Sequence, residues 1–465
     1  MSELRPYQEQ ALSGIREAFA KGTKKVLLHL ATGGGKTHIF CTVLKGAHKK
    51  GRKAIMVVRG RKLVDQASKR LDREGVPHGV YMAGHKKFNA SLPIQVCSID
   101  TLVSRGARPE ADIVVIDEAH YATSPSYVKF MALYPNAYVL PVTATPYTSK
   151  GLRHIAETVV KPIRVAELIE QGYLAPPRYF SRSLPDLKGV RSSTGKDGKD
   201  FVQAQLSAIM ENSPLMGDIA KHWLEKAKGR PTVAFCCSVK HSIAVKDSLL
   251  EQGIRAAHVD ANSSDEERQH YIDQLEAGEL DVLCNCGILC TGVDIPKASC
   301  IILARPTKSL NLHIQQMGRG TRMAPGKNDF IVLDHAGNVL RHGFITDEHE
   351  ANLDEYKEKE ETAKRVTKTC EECYAVFEGK ECPECGNTNL AKTRSYASVD
   401  GNLEELSPED LDPVSIRIKE LKKVRKDKGY KRGWLYHRIK EEFGEIIAEQ
   451  QFPRREVPWW INRGS

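Results

Sequence analysis

Short apolar runs recur along the first three-quarters of the chain, and each is followed by a longer stretch in which apolar residues return every third or fourth place. Val26–Leu30, Ala54–Val58, Ile113–Ile116 and the run opening at Thr232 are of the first kind. A strand covered on both faces has no solvent side to mark with polar residues, so such runs predict central strands of a parallel sheet, with amphipathic helices between them. The alternation predicts an α/β protein with two tandem doubly wound parallel sheets, one over residues 1–165 and one over 201–343. Residues 166–200 read as a connector. Within it, Pro176–Asp200 is polar, and RSSTGKDGKD suggests an exposed hairpin.

The pattern changes after residue 343. Residues 344–368 are strongly charged and carry few large apolar groups; Asp347–Arg365 lacks Gly and Pro, which favours a solvated helix over a linker. Residues 369–390 hold a cysteine cluster. In the tail, 391–465, Val414, Ile418 and Leu421 form one helical stripe, Gly429 interrupts, and Leu435, Ile439 and Phe443 form a second.

Composition narrows the class. A length of 465 residues suits roughly three domains, and 41% hydrophobic with 28% charged residues is ordinary for a globular protein. No apolar run approaches the ~18 residues a membrane helix needs, and the charged start MSELRPYQEQ is unlike a signal peptide. A cytoplasmic protein without a membrane partner is expected. The net charge of +10 is concentrated: Arg417–Lys440 holds 11 lysines and arginines against two acidic residues. Two short helices with one basic face suit a phosphate backbone. Trp434, Tyr436 and His437 either stack on bases or, with Trp459 and Trp460, pack this small domain.

Eight of the 12 cysteines lie in apolar or strand-like settings, which fits a reducing compartment. The other four form Cys370-x2-Cys373 and Cys382-x2-Cys385. Two such knuckles make the tetrahedral sulphur site that zinc prefers, with Zn–S near ~2.3 Å, and so short a module has little core of its own without a metal. A disulfide, a redox pair or an iron–sulphur cluster is the alternative reading. The module could grip nucleic acid, dock a protein partner or brace the tail. No base-reading helix follows the second knuckle.

Four strings carry the chemistry: LATGGGKT from Leu30, DEAH from Asp117, TATP from Thr143 and QQMGRGTR from Gln315. The first follows an apolar strand and precedes a helix-forming stretch. Backbone N–H groups wrap a triphosphate only where no Cβ intervenes, so Thr32 with Gly33, Gly34 and Gly35 can close around the anion while Lys36 reaches the β and γ phosphates. Thr37 offers a hydroxyl to Mg²⁺. The strict pattern wants glycine where Leu30 stands. Asp117 and Glu118 lie at the carboxyl end of a buried strand, where open α/β sheets bind ligands. Asp117 suits Mg²⁺, and Glu118 suits orientation and deprotonation of the attacking water. Arg319 and Arg322, three apart, would project from one face of a helix.

These strings, with LRPYQ at Leu4–Gln8, resemble those of superfamily 2 helicases, and LIEQGYLAPP, LARPTKSLNLHIQQMGRGTR and LDHAGNVLRHG are similar to phrases of the prokaryotic RadD group and its phage-borne relatives. The resemblance covers about the first 345 residues. It implies two RecA-like domains with ATP and Mg²⁺ between them, and Gln315, Arg319 and Arg322 closing over the γ phosphate. It further implies adenine recognition by Gln8, helped by Arg5 or Tyr7, and a linking role for Gly292 and Asp294 within CTGVDIP. Arg59, Arg61, Gln66, Ser98, Thr101, Ser238 and Thr291 become nucleic-acid contacts, and Thr143 and Thr145 couple hydrolysis to grip. The expected activity is an ATP-dependent DNA helicase or translocase acting on single-stranded, forked or branched DNA, with the chain a monomer. The alternatives are an RNA helicase, and a remodelling ATPase or restriction-complex motor subunit without unwinding of its own. No nuclease constellation stands out.

Overall fold

A computed structural model describes residues 3–354 except 106–107, 149, 182–186, 188, 196–197, 212–214, 291 and 352, and beyond these 368–369, 376–377, 404–406 and most of 417–443. The first domain is a seven-stranded sheet in the order β3-β4-β2-β5-β6-β1-β7, and all of its pairings are parallel. Its strands are β1 (Val26–His29), β2 (Ala54–Val58), β3 (Gly79–Tyr81), β4 (Ile94–Ser98), β5 (Ile113–Ile116), β6 (Tyr138–Thr143) and β7 (Thr158–Val160). The apolar runs are buried end to end in β1 and β2, as two-sided coverage requires, and β4 is buried throughout despite its Gln95 and Ser98. Helices α1 (Pro6–Ala20), α2 (Lys36–Lys49) and α3 (Arg61–Arg73) cover one face. Pro6 starts α1 because its fixed φ suits the first helical position and its missing N–H has no partner to lose there.

The second sheet contains β8 (Pro177–Ser181), β11 (Thr232–Phe235), β12 (Ala256–Val259), β13 (Val282–Asn285), β14 (Cys300–Leu303), β15 (Phe330–Asp334) and β18 (Glu404–Leu406). Its order is β12-β13-β11-β14-β15-β8-β18, parallel except for β18. Between them β9 (Ser192–Gly195) and β10 (Gly198–Phe201) pair as a separate hairpin, and β16 (Lys368–Thr369) pairs with β17 (Val376–Phe377).

The second sheet reaches back into the stretch read as connector, because β8 joins β15 there. The hairpin is held to the second domain by an Arg305–Asp200 ion pair of 3.0 Å. Most of the charged segment expected as a helix, Asp347–Arg365, lies outside the described residues. Its described residues up to Asp354 run without helix back onto the first domain. Leu353 enters that domain's core beside Leu152, its carbonyl accepts from Leu152 N and Arg153 N, and Asp354 takes a two-pronged bond from Arg153. In the tail, Leu435, Tyr436 and Ile439 bury themselves against Ile418 and Leu421 with Trp434 packed on them, so Tyr436 and Trp434 serve a small core rather than an open stacking face.

Candidate active site between the two domains

LATGGGKT turns from β1 into α2. Gly33 and Gly35 take left-handed backbone, φ +83° and +84°, which a side chain would strain. Their hydrogens also leave room for neighbours. A Cβ on Gly35 would collide with the Gln8 amide, and one on Gly33 would meet Leu174 at 2.8 Å. Leu30, where glycine is the strict choice, is buried and fills the space under Gly34. Lys36 Nζ donates to the Leu30 carbonyl at 3.3 Å, and burial lowers its pKa against the pull of Glu118 and Asp117. Thr37 is exposed in the first turn of α2.

Gln8 is bound into the first domain at both ends of its amide. Its Oε1 accepts from Arg5 N at 3.0 Å and its Nε2 donates to the Gly34 carbonyl at 3.3 Å, so the side chain ties α1 to the phosphate loop. The Tyr7 hydroxyl donates to the same carbonyl, and Arg5 lies 4.5 Å over the Tyr173 ring. The sequence reading passed over Tyr173, which is 165 positions from Gln8.

At the end of β5, Asp117 is half-buried beside Glu118, and desolvation together with that neighbouring carboxylate pushes its pKa up to about 7. Two adjacent half-buried carboxylates are hard oxygen donors that fit Mg²⁺. Glu118 has φ +48°, the only non-glycine positive φ among the described residues, a strained backbone state of the kind that collects at functional sites. Its carboxylate lies 3.5 Å from His120 Nδ1.

His120 is the residue of DEAH for which sequence reasoning had no role. Its Nδ1 is 3.0 Å from Thr143 Oγ1, and Thr145 N donates to that same oxygen at 3.1 Å. From the second domain, Gln315 Nε2 lies 3.0 Å from His120 Nε2 and 3.4 Å from Thr145 Oγ1. An amide donor facing Nε2 assigns the imidazole proton to Nδ1. Thus Glu118, His120, Thr143, Thr145 and Gln315 form one buried polar chain across the cleft.

Arg319 and Arg322 do not share a helical face. The helix Leu310–Met317 ends before them at Gly318, which packs on Thr32 of the phosphate loop. Arg322 pairs with Asp294, and its side chain lies against Gly33. Arg319 turns inward, donating to the carbonyls of Cys290 and Val293, with its Nε–H unpaired among the described residues. Gly318 against Thr32 and the Arg322 side chain against Gly33 bring this segment up to the phosphate loop.

The nucleic-acid candidates divide. Arg61 is exposed and Arg59 half-buried, while Ser98 and Thr101 are buried, the latter accepting from Ala83 N at 3.3 Å. Ser238 caps the helix Val239–Glu251 by accepting from His241 N. Gln66 donates across the cleft to the Gly292 carbonyl at 2.8 Å. Thr291 and the four expected zinc ligands, Cys370, Cys373, Cys382 and Cys385, lie outside the described residues; among the described ones no group of three or more His, Cys, Asp or Glu is arranged to hold a metal. No described helix is long and apolar enough to cross a membrane.

Two family models match, the type III restriction enzyme res subunit over residues 1–148 and the helicase conserved C-terminal domain over residues 216–324. The chain is 30% identical over 358 residues to a Schizosaccharomyces pombe protein named as a mitochondrial ATP-dependent helicase, irc3, covering 73% of this chain but only 58% of that protein. It is 26% identical over 411 residues to the 51.5 kDa protein of a Lactococcus phage (isolate 7-9), covering 86% of each. Among solved structures, a fragment named as the HsdR subunit of a type I restriction enzyme from Vibrio vulnificus YJ016 superposes with a TM-score of 0.57 at 19% identity, over 76% of this chain and 67% of that one. The fold is therefore the tandem RecA-like pair.

Proposed function

We propose that this chain, which belongs to superfamily 2 of the helicases, hydrolyses ATP between its two domains and uses the closing and opening of that cleft to move along and unwind or remodel DNA. The carrying observation is the polar chain from Glu118 through His120 to Gln315, which joins the water-activating carboxylate to the opposite domain. Backbone N–H groups of Gly33–Gly35 and Lys36 hold the phosphates, and Glu118 takes the proton from water. Thr37 and Asp117 would hold Mg²⁺, which would supply neutralising charge to the phosphates. Arg322 and Arg319 stabilise charge at the γ phosphate, an effect typically worth about 10³–10⁵ in rate for a cis arginine. Hydrolysis then depends on cleft closure. Thr143 and Thr145, bonded into the same chain, transmit that closure to the strand-gripping loops at Arg59, Arg61 and Thr291.

DNA is favoured over RNA by the RadD-like phrases and the DEAH string, and work in replication, recombination or repair inside the cytoplasm fits that substrate. The four cysteines bind one structural zinc. A second reading, the motor of a restriction-type complex, is favoured by the family model covering residues 1–148. ATPase stimulation by single-stranded DNA, forked DNA and RNA, run beside strand displacement, separates these readings. The Lys36→Ala chain should bind DNA and hydrolyse no ATP. Wild-type turnover in that variant would overturn the assignment.

A further inference from the structure

We infer that the turn His85–Phe88 is a base-stacking platform, on which the Phe88 ring receives an unpaired nucleobase beside the strand-gripping loops. This rests on the reading of the chain as a nucleic-acid motor and adds a residue to its track. Strands β2, β3 and β4 are mutually parallel, so the loops that follow them leave the sheet at one edge: Arg59–Arg61 after β2, Met82–Phe88 after β3, and the segment to Thr101 after β4. The three loops touch. Arg61 Nη2 donates to the Ala83 carbonyl at 3.4 Å, and Ala83 N donates to Thr101 Oγ1 at 3.3 Å.

The turn itself is fixed. Phe88 N donates to the His85 carbonyl at 3.2 Å, Val80 N to the Lys87 carbonyl at 3.0 Å, and His85 Nε2 lies 3.0 Å from Asp65. On this rigid turn the Phe88 ring is 49% exposed, the second highest exposure among the large hydrophobics described. Its inner side is backed by the buried Tyr81 ring, 5.6 Å between centroids, which leaves the outer side open to solvent. Lys86, two residues before it, is exposed and has no carboxylate partner among the described residues. A pre-ordered aromatic face in a turn that also carries an exposed lysine matches how single strands are held without sequence preference: bases stack and phosphates pair. Little side-chain freedom is lost when the base arrives.

The test uses the full chain and an oligothymidylate carrying one 2-aminopurine, read by anisotropy and by base fluorescence. Phe88→Ala should weaken binding about 5- to 150-fold, the range of one base–aromatic stack, and abolish the fluorescence quenching at one position of the probe. Phe88→Trp should keep both signals, and circular dichroism melting should show both variants folded. Wild-type affinity and quenching in Phe88→Ala would overturn the platform while leaving the motor reading standing. Failure of the unmutated chain to bind any strand would overturn both.

Discussion

Gln315→Ala removes a contact that exists only when the two domains meet. Gln315 and His120 are 7% and 6% exposed, so water does not replace the lost donor. A buried hydrogen bond contributes about 1 kcal/mol net, and stranding the His120 Nε2 acceptor costs about 1–3 kcal/mol. The loss falls on the closed state alone, which lowers the closure equilibrium by roughly 5- to 150-fold. Nucleic-acid-stimulated kcat should fall within that range. Affinity for a fluorescent ATP analogue without nucleic acid should hold, because the phosphate loop and Lys36 belong to the first domain. A cycle combining Gln315→Ala with His120→Ala tests the pairing: coupling of about 1–2 kcal/mol is expected between groups in contact. Additivity within about 0.3 kcal/mol, or a matching loss of nucleotide affinity, would refute the reasoning.

Gly35→Ala forces a side chain into left-handed backbone, about 1–2 kcal/mol, and against the Gln8 amide; calorimetric titration should show lost ATP binding in a chain that still folds. Leu353→Ala should cost about 2–4 kcal/mol in urea unfolding of the first domain, since this side chain from beyond the second domain fills its core. His29 is buried and its pKa is lowered to about 4, first by desolvation and then by Lys161. The unfolded chain therefore takes up the proton first, so this contribution is complete above about pH 6.5 and lost as pH falls toward 4, at up to about 1.4 kcal/mol per pH unit. His29→Gln should flatten stability over that window, and an unchanged slope would refute the assignment. Replacing Cys370 and Cys382 by serine should reduce bound metal from about one zinc per chain to near none by elemental analysis.

Periodicity and strings determined much of this molecule. Apolar runs specify two-sided burial, and β1 and β2 follow because nothing else hides so many consecutive side chains. GGGKT and the carboxylates after β5 were legible for a related reason: a loop without Cβ atoms and a pair of acids at a strand end are local solutions to holding phosphate and its cation. Tertiary structure decided what depends on distant partners. Arg319 and Arg322 are three apart in sequence, yet Gly318 ends their helix and sends one inward and the other to Gly33. The tie of Gln8 to the phosphate loop appeared only when its amide met the Gly34 carbonyl. His120 became a link only when Gln315, 195 positions away, arrived opposite it. Local spacing fixes which face of an element is buried; a hydrogen bond across the cleft also requires the position and direction of a second domain, and one-dimensional order carries neither.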